Sequence, residues 1–230
     1  MTRTNSFFYP LVTLIVVSTF TSFSVQARGN KRCPVPESSV TVSVKNTPAK
    51  VIYKTGHSRS DIERQQLKRG LHANRGKWKI LGLTQTDFKY SLETSVKYTK
   101  TAGGRYCAYP VSFELNIGYA DFIVYIDRKY LPGSCEYRAI LKHENSHITI
   151  YRRYLEHYLP YIKKQVRAAA IGVRPVIVSV PDQGTKYIQE QVQRRIRPLI
   201  LKLNREANVS NARIDTPESY RKVQLLCDNW

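Results

Sequence analysis

Apolar and polar positions change rhythm along this chain, and the changes divide it into elements. Val40, Val42 and Val44 alternate with Thr41 and Ser43, a two-residue period that predicts a strand. Lys50 to Tyr53 predicts a second, short one. At Ser60 the period lengthens. Ser60 and Glu63 form a capping-box pair, which starts a helix expected to reach about Arg69 with Gly70 as its terminal glycine. Asn74 to Lys77 reads as a loop. Phe88 to Val96, Tyr106 to Gly118 and Asp121 to Tyr130 are the next strands; in the last, Phe122, Val124 and Ile126 alternate with Ile123, Tyr125 and Asp127. Their short connections predict an antiparallel meander, closed by Leu131-Pro132-Gly133.

A longer apolar stripe follows. Tyr137, Leu141, Glu144, Ile148, Tyr151, Leu155 and Tyr158 recur at three- and four-residue spacing, which at ~100° per residue is one helix face. The glutamate on that face is costly to bury without a partner. His143 and His147 fall roughly 80° to one side of the stripe. Pro160 permits a kink, the helical pattern resumes to Ala170, and Gly172 and Pro175 interrupt it. Val176 to Val180 is a strand or an apolar connector, and Pro181 to Gly184 a turn. Thr185 to Asn204 reads as a basic amphipathic helix interrupted at Pro198, and Pro217 to Leu226 as a last helix. The expected fold class is α+β: an antiparallel sheet packed against one long helix, with a helical C-terminal part.

The ends of the chain modify this picture. Arg3, the apolar run Leu11 to Phe20 and the Val25-Gln26-Ala27 cleavage pattern read as a signal peptide over residues 1–27. Residues 28–39 then form a polar exported leader and 40–230 a single domain, with no transmembrane segment in the mature chain. Four cysteines in an exported chain imply two disulfides. Cys107–Cys135 and Cys33–Cys227 are the expected pairs; no CxxC exists to hold a thiolate metal site. The formal net charge of +20 attracts polyanions. For an exported chain, periplasmic or extracellular, these are anionic envelope surfaces rather than nucleic acid.

The chemistry concentrates at His143-Glu144-Asn145-Ser146-His147, an HExxH sequence on the long helix. Histidines four apart on a helix face the same way and together bind one zinc, while the adjacent Glu144 serves as general base toward a zinc-activated water. A third protein ligand is needed, and no familiar spacing announces it. Ile150 and Arg153 stand where a metzincin has Gly and His, which excludes that class. Glu190, Asp215, Glu218, Tyr220, His57 and His72 all stay open. Glu156 and His157 lie ~13–15 Å further along the same helix, too far to share the ion. Tyr151, one turn past His147, is a core tyrosine or a wall of the site.

These residues resemble a family of secreted bacterial proteins, catalogued as a domain of unknown function and labelled zinc-dependent proteases. The likeness runs through Ser58 to Leu71, Gly82 to Tyr90, Tyr106-Cys107 and Ala139 to His147. The family's C-terminal part carries Asp, then Thr, then His-Gly; here Asp215-Thr216 is followed by Pro217-Glu218-Ser219-Tyr220, without the His. The resemblance implies a zincin-like metallopeptidase acting on a peptide or protein, and peptidoglycan peptides are one such substrate. The alternative is a non-catalytic basic protein bound to an anionic envelope surface.

Overall fold

A computed structural model describes residues 32–34, 39–68 and 80–230. The signal peptide, most of the leader, Gly70, His72 and the loop at 74–77 lie outside these residues. The described elements are β1 (Thr41–Thr47), β2 (Val51–His57), α1 (Arg59–Lys68), β3 (Gly82–Gln85), β4 (Phe88–Lys100), β5 (Tyr106–Tyr119), β6 (Phe122–Asp127), α2 (Cys135–Ile171), β7 (Val176–Val178), α3 (Pro181–Ala212) and α4 (Pro217–Gln224).

The strands form two mixed sheets, which keeps the β4–β5 pairing of the expected antiparallel meander and corrects the β5–β6 one. One sheet has the order β1-β5-β4 with β7 also on β5; the other is β2-β6-β3. β1 runs parallel to β5 and β2 parallel to β6, whereas β4–β5, β3–β6 and β5–β7 are antiparallel. β5 and β6 do not pair with each other. They are successive halves of one ribbon that passes from the first sheet to the second at Ala120-Asp121. β1–β2 and β3–β4 cross beside it in the same way. At the crossing Ala120 N donates to Asp87 O at 2.8 Å and Phe122 N to Lys50 O at 2.8 Å, so each flanking ribbon satisfies a backbone group where the ladder breaks.

The helices differ from expectation at their ends and prolines. α1 starts one residue before Ser60. Ser58 and Asp61 cap it reciprocally, with Ser58 N donating to Asp61 Oδ2 at 2.9 Å and Asp61 N to Ser58 Oγ at 3.3 Å. α2 continues through Pro160 and α3 through Pro198. A proline leaves the carbonyl four residues earlier without its helical donor. Those carbonyls belong to Glu156 and Arg194, both exposed residues, so each proline sits on a solvent-facing side of its helix. Ser134 caps α2 by accepting from Tyr137 N at 3.1 Å.

The main core lies between the first sheet and the two long helices. Phe113, Leu115 and Ile117 of β5 meet Ile140, Ile148, Leu155, Ile162 and Val166 of α2, and Ile188, Val192, Ile196, Ile200 and Leu203 of α3. A smaller cluster of Ile62, Ile80, Leu83 and Tyr125 sits under α1. Two disulfides are present, in a different pairing from the expected one: Cys33–Cys107 ties the leader to β5, and Cys135–Cys227 ties the start of α2 to the turn after α4. Cys107 lies where β5 pairs with β7, while α4 packs on α2 and brings Cys227 to Cys135. Among the described residues no helix is long and apolar enough to cross a membrane.

Candidate metal centre

α2 carries His143, Glu144 and His147 on its inward face, where they are 9%, 1% and 6% exposed. The buried face is therefore wider than the apolar stripe alone indicates, and it takes in both imidazoles. The rings stand edge to face with centroids 5.1 Å apart. One ligand atom from each of the three residues lies within 4.8 Å of the others.

The structure brings Asp215 to this pair from the short turn between α3 and α4. Its Oδ1 is 3.3 Å from His143 Nε2 and 3.1 Å from His147 Nε2. Ligand atoms ~2.0–2.1 Å from a tetrahedral zinc are about 3.3 Å apart, so these separations already match the edges of such a site. Two imidazole nitrogens and one carboxylate oxygen could therefore hold a metal ion together. Local sequence fixes the turn. Ile214 N donates to Asn211 O at 3.1 Å, and Thr216 accepts from Ser219 N at 3.2 Å as the N-cap of α4, with Pro217 at the first helical position.

Asn211, the residue no motif indicated, sets the orientation of His147. Its amide nitrogen donates to Ala207 O at 2.9 Å, which turns Oδ1 toward His147 Nδ1 at 2.8 Å. Nδ1 then carries the hydrogen and Nε2 faces Asp215, as in metal sites where a neighbour holds the ligand tautomer. The available signal was a polar residue on an otherwise apolar face: Asn211 continues the buried row of Ile196, Ile200, Leu203 and Ala207.

Glu144 is held from the other side by β3. Thr84 Oγ1 lies 2.8 Å from Glu144 Oε2 and 3.1 Å from its backbone carbonyl. Gly82 admits this approach, since a β-carbon there would lie 2.7 Å from Glu144 Oε1 and 2.8 Å from Ile140 Cγ2. Burial raises the Glu144 carboxyl above its usual range, against the charges of His147 and His143 and the Thr84 hydrogen bond. Tyr220 closes a further side, with its ring 5.0 Å from that of His143 and its hydroxyl 3.5 Å from Asp215 Oδ1.

The other candidates go elsewhere. Glu190 pairs with Arg194 at 3.7 Å and lies roughly 30 Å along α3 from Asn211, by helix rise. Glu218 is bridged to Lys222 at 2.9 Å. His57 meets Tyr125 edge-on at 5.0 Å, at the end of β2. Tyr151 is half-buried against Tyr119, 4.9 Å between centroids, and its hydroxyl donates to Asn208.

The charges at the site have a measurable consequence. Burial disfavours a charged His147, but the Asp215 hydrogen bond and the charges of Glu144 and Asp215 outweigh it and raise its pKa from 6.5 to about 9. Burial likewise opposes ionisation of Asp215, yet its bonds to His143 and His147 hold it down at about 2. The metal-free protein therefore keeps His147 protonated between pH 6.5 and 9. Its stabilising contribution is complete below 6.5 and lost as pH rises through 9. A metal needs the neutral ring. Calorimetric zinc titration, in buffers of different ionisation enthalpy, is expected to release about one proton more per ion at pH 8 than at pH 10, the difference coming from His147. Equal release at both pH values would contradict this assignment.

No family model matches the chain, and no curated protein or solved structure matches it.

Proposed function

We propose that this chain is an exported zinc-dependent hydrolase, most simply a metallopeptidase with a zincin-like arrangement. The observation that carries the reading is the convergence of Asp215 on both imidazoles beside a buried glutamate that is held separately by Thr84. His143, His147 and Asp215 would hold the ion, which polarises a substrate carbonyl and lowers the pKa of a bound water. Three protein ligands with one position open is the pattern of a catalytic rather than a structural site.

The remaining groups have roles that follow from their placement. Glu144, its carboxyl raised toward neutrality by burial, is suited to take a proton from water and return it to a leaving amine. Thr84 and Gly82 fix where its oxygens point. Tyr220 stays protonated, because burial and the nearby carboxylates raise its phenol, so it can donate a hydrogen bond to a developing oxyanion. The two disulfides accord with export.

Glu144→Gln separates this reading from a non-catalytic zinc protein. The variant is expected to retain one zinc per chain while hydrolysis of casein or of peptidoglycan falls by ~10²–10⁴. A wild type without zinc, or equal rates for both proteins, would refute the proposal. Loss of zinc from the variant would make Glu144 a ligand and the site structural.

A further inference from the structure

Three of the most exposed large apolar side chains occur in two turns that the Cys135–Cys227 disulfide joins. Leu131 is 71% exposed, Leu225 85% and Leu226 61%. Leu131 starts the turn ahead of α2, where its carbonyl accepts from Ser134 N at 3.0 Å. Leu225 and Leu226 immediately precede Cys227. Besides the bridge, the Tyr130 and Trp230 rings meet edge to face at 5.6 Å. Trp230 Nε1 donates to Cys227 O at 2.8 Å, which turns the C-terminal residue back onto this segment.

Single exposed leucines are ordinary, but a cluster pinned by a covalent bond is not explained by packing. The surrounding charge indicates what covers it. Arg128, Lys129, Arg138, Arg221 and Lys222 are all exposed in or beside the same turns. Against them stand exposed Glu218, which Lys222 bridges, exposed Asp228, and Glu136, which is buried. Cations therefore outnumber acids, within a chain of net charge +20. An apolar tip ringed by Lys and Arg is the profile of a protein that inserts shallowly into an anionic lipid surface.

We propose that the Leu131 turn and the Leu225-Leu226 turn form a docking tip for anionic bilayers. The tip adjoins the start of α2 and the end of α4, which carry His143 and Tyr220. Docking there would set the candidate metal centre near the membrane surface. The proposal does not depend on that centre being catalytic.

The test uses the full mature chain and vesicles of phosphatidylglycerol mixed with phosphatidylethanolamine, with phosphatidylcholine vesicles as the neutral control. Wild type is expected to co-sediment with the anionic vesicles and not with the neutral ones. The triple variant Leu131→Ser/Leu225→Ser/Leu226→Ser should bind at least tenfold more weakly, with an unchanged melting temperature because all three side chains face solvent. Arg221→Gln/Lys222→Gln should weaken binding by roughly fivefold per cation, an effect that added salt erases. Failure of the wild type to bind, or wild-type binding by the leucine variant, would overturn the proposal. So would a self-associating wild type whose dimer the leucine changes dissociate, since the tip would then contact a second copy. Capture of an acidic protein through the same leucines, without vesicle binding, would overturn it too.

Discussion

Asp215→Ala is expected to abolish metal binding at the proposed centre while leaving the protein folded. Its carboxylate lies within 3.3 Å of both imidazole nitrogens, and its side chain is 41% exposed, so little packing is lost with it. Removing an outer-shell partner of a metal ligand costs 10–100-fold in affinity. Removing a ligand should exceed that range, so zinc binding is expected to weaken by more than ~100-fold. Asn211→Ala supplies the comparison within this protein, because it removes the partner that orients His147 and should fall inside the outer-shell range. Glu190→Ala and Glu218→Ala, whose carboxylates pair with Arg194 and Lys222, should bind zinc as the wild type does. Competition against a chromophoric chelator orders all four. The assignment of Asp215 fails if its variant binds zinc normally and one of the other two does not.

The comparison of Asp215 with its rivals shows where the sequence stops being informative. The two histidines are adjacent turns of one helix, so a local period exposes them. Asp215 is 68 residues beyond His147, and only the packing of α3 along α2 brings it back. Nothing in the spacing separates it from Glu190, which occupies a polar position on the same long helix that leads to it. The same division runs through the fold. The positions of β4, β5 and β6 were legible because alternation is local. The antiparallel pairing of β4 with β5 was legible too, but the parallel partners β1 and β2 and the break between β5 and β6 were not, since the crossing of three ribbons between two sheets depends on contacts such as Ala120 N to Asp87 O. Pro160 and Pro198 misled for a related reason. A proline's cost depends on whether the orphaned carbonyl is buried, and here both belong to exposed residues.

Removal of the Cys135–Cys227 bridge is the second large effect, and it tests how the site is assembled. α4 is short, and Tyr220 is its one buried residue. Outside that ring, the bridge and the Trp230 contact with Tyr130 are what hold the chain end against α2. The bridge spans 92 residues, and a native disulfide closing so long a loop contributes about 2–5 kcal/mol. The double variant Cys135→Ser/Cys227→Ser is therefore expected to melt markedly lower and, in addition, to lose zinc affinity. The turn bearing Asp215 is held from the α3 side by Asn211 and from the α4 side by Tyr220, and the variant frees the second hold. Cys33→Ser/Cys107→Ser is the control, because it opens a comparable span of 74 residues and its bridge is anchored on β5 rather than on α2. Its melting temperature should fall while its zinc affinity stays near that of the wild type at temperatures where both remain folded. Equal loss of zinc in the two double variants would mean that affinity follows global stability. Loss confined to the Cys135–Cys227 variant would mean that the oxidised bridge completes the centre, so that the chain acquires its metal in full strength only where disulfides form.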